Sequence, residues 1–286
     1  MGASPGRGRH SARKTRKRKG AFRKMERGKR VVLKVGTSSL TYESGRPNLH
    51  RIEHLCRVLC DLLNAGFECV LVSSGAMGVG RGKLGISKNP DDVPARQAIA
   101  AVGQCELMFL YDKFCGEYGR TVAQVLLTRD VTENPVTKAN TENTFGALLS
   151  MGILPVVNEN DSVATEELAG KKFGDNDTLS AIVALLVGAD LLVILTDTDG
   201  LYDKNPREYP DAKRIARVDA VTPQIRALAG PAGSARGTGG MATKVQAAAH
   251  VTQAGIPCVV MSGEDPETVW ALLHGEAHGT YFAAQT

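Results

Sequence analysis

The chain is expected to fold as an α/β protein, a three-layer αβα sandwich built on a mainly parallel sheet. Three observations predict this. Short apolar runs alternate with longer helical segments along residues 30–286. The runs are apolar throughout rather than at every second residue, as strands covered on both faces require. Glycine closes several of the helical segments, where a left-handed residue ends a helix cheaply.

The elements follow in order. Val31–Val35 is a strand ending at Gly36. Residues 49–65 place Leu49, Ile52, Leu55, Val58, Leu59 and Leu62 on one helical face, with Gly66 as the stop. Cys69–Val72 is a second strand, running through Ser73-Ser74-Gly75-Ala76 into a helix. A long helix covers about 95–118, and Thr121–Leu127 is the third strand. A helix near 138–150 stops at Gly152, and Ile153–Val157 is the fourth strand. Residues 162–174 read as a polar hairpin or mobile loop. A helix at Thr178–Val187, a strand at Leu191–Leu195, a helix at Met241–Ala254, a strand at Pro257–Met261 and a helix at Pro266–Leu273 follow. Thr280–Ala283 reads as a short edge strand.

In such sheets ligands bind outside the carboxyl ends of the strands, so the residues after each strand carry the functional information. Lys34 interrupts the first strand; inside an apolar strand an ammonium needs an anion or acid beside it, unless it reaches solvent at the strand end. Gly36, Thr37 and Ser38 follow with backbone N–H groups and hydroxyls. Ser74, Gly75 and Ala76 open a helix, which suits an anion or simple capping by Ser74. Asn158-Glu159-Asn160-Asp161 is more polar than a turn requires and could read the ammonium and carboxylate of a small substrate. In Gly174-Asp175-Asn176-Asp177 one residue is the cap of the next helix and two polar side chains are left over. Thr196 and Asp197 follow the Leu191–Leu195 strand. Finally Gly237-Thr238-Gly239-Gly240-Met241-Ala242-Thr243-Lys244 brings glycine-rich backbone and a lysine to a helix start, suited to phosphate oxygens. Two lysines, several glycine-lined helix starts and a set of carboxylates fit phosphoryl transfer, which needs alignment and charge stabilisation more than covalent chemistry. A carboxylate acceptor is already ionised at neutral pH, so no general base is needed, and no histidine stands in these loops.

Composition narrows the classes. The 286 residues are 43% apolar and 23% charged, as in ordinary globular proteins, and no apolar run is long enough to cross a membrane. The net charge of +5 is unevenly spread: residues 1–29 carry 12 Lys/Arg against Glu26, while residues 30–286 carry 23 basic and 29 acidic side chains. The first segment reads as a disordered extension, with a basic patch at Lys14–Lys19 as the one place where nucleic acid is a candidate partner, or as a transit peptide. The six cysteines form no CxxC pair, and most lie in apolar contexts, which points to free thiols in a reducing, cytoplasmic setting.

Competing motifs are weaker. Gly80-x-Gly82-x-x-Gly85 spells a dinucleotide fingerprint but begins well after its strand. A Walker A loop fails because Leu84 follows Lys83 where Ser or Thr is needed. His50-Arg51-Ile52-Glu53-His54 spells HxxEH, a zinc pattern, on the first turn of an amphipathic helix; no metal ligand is assigned to it.

Taken together, VVLKVGTSSLT (31–41), VLVSSGAMGVGRGKLG (70–85), RQAIAAVGQ (96–104), QVLLTRDV (124–131), PVVNENDSVAT (155–165), FGDNDTLSAIVALLVGAD (173–190), LTDTDGLYDKNP (195–206) and GTGGMATKVQAA (237–248) resemble the amino-acid kinase family, and within it the glutamate 5-kinases. The resemblance implies the amino-acid kinase fold and ATP-dependent phosphorylation of the γ-carboxylate of L-glutamate, the first step of proline biosynthesis. The resemblance also implies Mg²⁺, held mainly by the ATP phosphates. It implies that Lys34 and Lys244 stabilise the transferring group, that Asp177 holds both lysines, and that Gly36 and Gly75 donate backbone N–H groups. By the same resemblance Ser74, Asp161 and Asn176 would bind glutamate, supported by Asn158, and Lys34, Thr196, Asp197 and Thr238, Gly239, Gly240, Met241, Ala242, Thr243 and Lys244 would bind ATP. It implies a glutamate lobe of about residues 30–175 and an ATP lobe of about 176–286. The resemblance further implies proline as a feedback inhibitor, a homo-oligomer (dimer or tetramer) and handover of product to γ-glutamyl phosphate reductase. Residues 30–286 fit one kinase domain, without the C-terminal PUA domain that many bacterial members carry.

Overall fold

Val31, Val32, Leu33 and Val35 have too much apolar surface for any exposed position, and they form the middle of β1 (Arg30–Val35), a central strand of the sheet. A computed structural model of the chain describes residues 24–26, 28–163, 175–230 and 240–285. Within them β2 (Glu68–Ser73), β3 (Val122–Leu127), β4 (Leu154–Glu159), β5 (Leu191–Thr196), β6 (Arg217–Val218), β7 (Cys258–Ser262) and β8 (Thr280–Phe282) complete an eight-stranded sheet of order β3-β4-β2-β1-β5-β7-β8-β6. Every pairing is parallel except β7 with β8.

Alternation along each strand divides the core in two. Val31, Leu33, Val35, Leu71, Val193 and Met261 face one side, covered by α2 (Leu49–Asn64), α4 (Val93–Glu117) and α10 (Glu267–Leu273). Val32, Val70, Val72, Leu192, Ile194 and Val260 face the other, covered by α6 (Pro135–Ser150), α7 (Asn176–Leu186) and α9 (Met241–Gln253). The expected three-layer arrangement with a mainly parallel sheet is the one observed. Shorter helices α1 (Thr37–Leu40), α3 (Ala76–Leu84), α5 (Asp130–Glu133) and α8 (Pro223–Leu228) follow β1, β2, β3 and β6.

Several element boundaries move, each for a local reason. Helix α6 begins at Pro135 rather than near 138, because the Asn134 side chain accepts the Val136 N–H at 2.9 Å and proline fits the first helical position. Asp92, accepting from the Ala95 N–H at 3.0 Å, starts α4 at Val93. Strand β4 runs on through Asn158 and Glu159, which pair with Leu126 and Leu127 of β3. Leu49, expected on the buried face of α2, is 52% exposed in its first turn. Thr280–Phe282 is not an edge strand. It is paired on both sides, and the two-residue β6 takes the edge beside it.

Gly80, the first glycine of the rejected dinucleotide pattern, and Gly103 have a packing explanation. A Cβ on Gly80 would stand 1.9 Å from the Ile99 carbonyl oxygen, and one on Gly103 would stand 1.8 Å from that of Ala76. Helices α3 and α4 therefore cross backbone against backbone, which only glycine allows. Five of the six cysteines are buried and all are free, with Cys105 exposed. Burial pushes the Cys69 thiol up to about 12, and burial also raises Cys258, so these thiols stay protonated.

Candidate active site

The carboxyl ends of β4, β2, β1 and β5 lie side by side, and the two arms of the sheet diverge from β1. Over this end stand the first turns of α7 and α9, which pack against each other.

Lys34 is the penultimate residue of β1, on the same face as Val32, and its side chain turns toward α7. Its Nζ lies 2.7 Å from Oδ1 of Asp177. Lys244, in the first turn of α9, places its Nζ 3.0 Å from Oδ2 of the same carboxylate. Thr243 donates its hydroxyl to that Oδ2 at 2.7 Å. Lys34, Asp177 and Lys244 are respectively 6%, 0% and 5% exposed, so this is a buried cation–anion–cation triad. Burial pushes the Asp177 carboxyl up, but the two ammonium groups and the Lys34 and Thr243 hydrogen bonds outweigh it, and the group is held below the usual carboxylate range. Its place in the first turn of α7 adds the favourable end of the helix dipole.

The turn before α7 resolves the Asp-Asn-Asp run. Asp175 is the cap, accepting the Asp177 and Thr178 N–H groups at 3.0 Å each. That releases Asn176 and Asp177 for other partners. Asn176 Nδ2 donates to the Ser73 carbonyl at 2.6 Å and to Asn158 Oδ1 at 2.9 Å. Asn158 Oδ1 also accepts the Glu159 N–H at 2.9 Å, and its Nδ2 donates to Gln104 Oε1 at 2.8 Å. Ser73 is anchored from behind by Tyr111, with the two hydroxyls 2.8 Å apart.

Gly36 precedes α1 and lies beside Lys34: a Cβ there would stand 3.7 Å from Lys34 Nζ. Gly75 caps α3 at φ 99°, a left-handed conformation that a side chain would strain, and its carbonyl accepts the Val79 N–H. Ser74 makes no capping hydrogen bond, so the capping alternative for it does not hold. Asp161 is half-buried in the turn after β4. At the end of β5, Thr196 donates its hydroxyl to Asp197 Oδ1 at 3.1 Å, and Arg207 donates to Asp197 Oδ2 at 3.0 Å. Gly240, Met241, Ala242 and Thr243 form the start of α9, with Met241 and Ala242 packed on the core. Thr238 and Gly239 lie outside the described residues, as do residues 164–174 of the expected 162–174 hairpin or loop and residues 1–23 and 27 of the basic 1–29 extension.

The structure thus gathers Lys34, Asp177 and Lys244 at one point, and Asn158, Asn176 and the end of β2 at another. Gln104, Tyr111 and Arg207 were not singled out from sequence. The available signal for Gln104 was an amide closing the small and apolar run Ala98–Gly103 of α4. The HxxEH histidines have a surface explanation: His54 Nε2 lies 3.4 Å from Glu267 Oε1, and among the described residues no group of three His, Cys, Asp or Glu side chains converges.

Comparison with known proteins points one way. Residues 29–262 match the amino acid kinase family. A protein named glutamate 5-kinase from Clostridium perfringens (strain 13 / Type A) is 55% identical over 258 residues, covering 90% of this chain and 96% of its own. One of the same name from Listeria monocytogenes serotype 4a (strain HCC23) is 52% identical over 262 residues, covering 91% and 95%. Among solved structures, UMP kinase from Bacillus anthracis superposes with a TM-score of 0.64 at 18% identity, covering 91% of this chain and 98% of its own, a likeness of fold.

Proposed function

The chain belongs to the amino acid kinase family and is a kinase, and we propose that it transfers the γ-phosphoryl group of ATP to the γ-carboxylate of L-glutamate, giving γ-glutamyl phosphate and ADP in the first step of proline biosynthesis. The observation that carries this reading is the buried Lys34–Asp177–Lys244 triad, together with 52–55% identity to glutamate 5-kinases along about 90% of the chain.

The chemistry suits those residues. The acceptor carboxylate is ionised at neutral pH, so the transition state needs charge neutralised on the transferring phosphoryl oxygens rather than a base. Lys34 and Lys244 supply that charge from two sides. Asp177 keeps both ammonium groups in place before substrate arrives, so little reorganisation remains for the reaction itself. Gly36 and Gly75 expose backbone N–H groups to the phosphates. Ser74, Asp161 and Asn176 bind glutamate, with Asn158 behind Asn176. Thr196, Asp197 and residues 238–244 hold the nucleotide, which enters as its Mg²⁺ complex with the phosphate oxygens as the metal's main ligands. Residues 30–175 form the glutamate lobe and 176–286 the ATP lobe of one continuous sheet. Cytoplasmic location, a homo-oligomeric state, proline feedback and delivery of product to γ-glutamyl phosphate reductase complete the proposal. Among the described residues no helix is long and apolar enough to cross a membrane.

The test is an acyl-phosphate trap. With ATP, Mg²⁺ and hydroxylamine, purified protein should form γ-glutamyl hydroxamate only when glutamate is added. Equal hydroxamate from N-acetylglutamate or aspartate would move the assignment to a sister activity.

A further inference from the structure

Tyr111 puts a hydroxyl where phenylalanine would satisfy the packing. It is 1% exposed, on α4, in the apolar cluster that also holds Leu71, Val79 and Leu107. A hydroxyl in such surroundings costs stability unless it is paired. Its partner is Ser73 Oγ, at 2.8 Å, on the last residue of β2. Burial raises the Tyr111 phenol above the usual tyrosine range, so it keeps its proton.

The direction of that bond follows from the next one. Ser73 Oγ also lies 3.2 Å from the Ser74 carbonyl oxygen. A carbonyl can only accept, so the single serine proton goes there. The Tyr111 hydroxyl is then the donor to Ser73. Tyr111, Ser73 Oγ and the Ser74 carbonyl form a one-way relay from the core to the end of β2. The Ser73 main chain is held separately, since its own carbonyl accepts from Asn176 Nδ2 at 2.6 Å. What Tyr111 controls is the serine hydroxyl, and through it the Ser74–Gly75 peptide.

That peptide needs holding. Its carbonyl and the Gly75 N–H lie in one plane and point opposite ways. Turning the plane over would carry φ of Gly75 from 99° to about −80°, and glycine accepts either sign. A side chain at 75 would make the backbone choose; with glycine the choice passes to the Ser73 hydroxyl. In the observed setting the Gly75 N–H points away from Ser73 Oγ and donates to no described residue.

We propose that Tyr111 is a positioning residue for phosphoryl transfer: by donating to Ser73 Oγ it fixes the Ser74–Gly75 peptide with the Gly75 N–H turned toward the transferring group. The inference rests on the glutamate-kinase reading, and within it on the backbone donor at Gly75. A donor aimed in advance at developing charge lowers the barrier without tightening substrate binding. Its loss is therefore read in kcat at constant KM.

The experiment measures hydroxamate formation by wild type, Tyr111→Phe, Ser73→Ala, Ser73→Thr and the double variant Tyr111→Phe/Ser73→Ala. Tyr111→Phe keeps the ring and should lower kcat about tenfold, with KM for glutamate and for ATP within about twofold of wild type. Ser73→Ala should lower kcat by up to about 100-fold, the effect of losing one such donor. The double variant should be no worse than Ser73→Ala, because Tyr111 acts only through Ser73. Ser73→Thr keeps the hydroxyl at a strand end that suits a β-branched residue, and should recover most of what Ser73→Ala loses. A Tyr111→Phe enzyme with a lower Tm but the wild-type kcat would make the hydroxyl merely structural and overturn the proposal. So would a raised KM at unchanged kcat, or losses that add in the double variant. Wild type that forms no hydroxamate with glutamate would instead overturn the kinase reading itself.

Discussion

Replacing Asp177 by asparagine is the sharpest perturbation of this molecule. The carboxylate is fully buried and touches two ammonium groups at 2.7 and 3.0 Å. Asparagine keeps one oxygen, which can serve one lysine, but turns an N–H toward the other. One buried cation is left without a counter-charge, a situation that costs about 3–5 kcal/mol in comparable pairs. In a domain of this size that corresponds to a Tm lowered by roughly 10 °C. The pH dependence follows from the direction of the shift. A carboxyl held below its ordinary value stabilises the fold above that value, near pH 4, and the contribution is lost as pH falls through the folded pKa. The gap between wild type and Asp177→Asn should therefore be widest at pH 7 and close progressively below about pH 4. Thermal unfolding at pH 7 and at steps down to the acid limit measures it. A Tm within about 1 °C of wild type at pH 7, or a gap that does not change with pH, would refute the buried-triad reasoning. The triple change Lys34→Met, Asp177→Leu, Lys244→Met should recover much of the stability, since apolar residues of similar volume replace buried ion pairs well, yet show no kinase activity. That outcome separates the triad's structural cost from its chemical use.

Other expectations follow from single sites. Lys244→Ala should lower kcat by about 100-fold or more in an ADP-release assay, and an unchanged kcat would remove Lys244 from the chemistry. Gly103→Ala and Gly80→Ala should destabilise by several-fold more than the roughly 1 kcal/mol typical of a point change, because each new Cβ meets backbone within 2 Å. Gly116→Ala, on the same helix with nothing within 4 Å, should be neutral or stabilising by about 0.5–1 kcal/mol in thermal unfolding. Arg207→Ala breaks only an exposed pair with Asp197 and should change stability by less than about 1 kcal/mol, while a raised KM for ATP would tie Arg207 to the nucleotide end.

Much of the fold was legible because burial acts locally on composition. Strands covered on both faces must be apolar at every position, so Val31–Val35, Cys69–Val72 and Leu191–Leu195 announce themselves. The polar residues that interrupt or follow them stand out against that background, and Lys34 and Asn158 were singled out in this way, whereas Asn176, Asp177 and Lys244 were singled out at helix starts. Arg217–Val218 was invisible because two residues carry no period, and its partner at Thr280–Phe282 was misjudged for the same reason. Gln104 and Tyr111 were missed because both lie inside a helix whose pattern is explained by packing; only their hydrogen bonds to Asn158 and Ser73 distinguish them. Gly80 stood in a dinucleotide-like pattern that its distance from the strand ruled out, and Gly103 carried no signal; a backbone-to-backbone helix crossing explains both.

By itself, the sequence determined the alternation of strands and helices, the side of the sheet on which chemistry collects, and the family, because each depends on residue types within a few positions of one another. Only the tertiary structure decided that one carboxylate sits between two lysines 143 positions before it and 67 after it. It alone decided which way the amides behind Asn176 face. Charge pairing and hydrogen-bond polarity are properties of groups meeting in space, and a chain read in one dimension carries the groups but not their meeting.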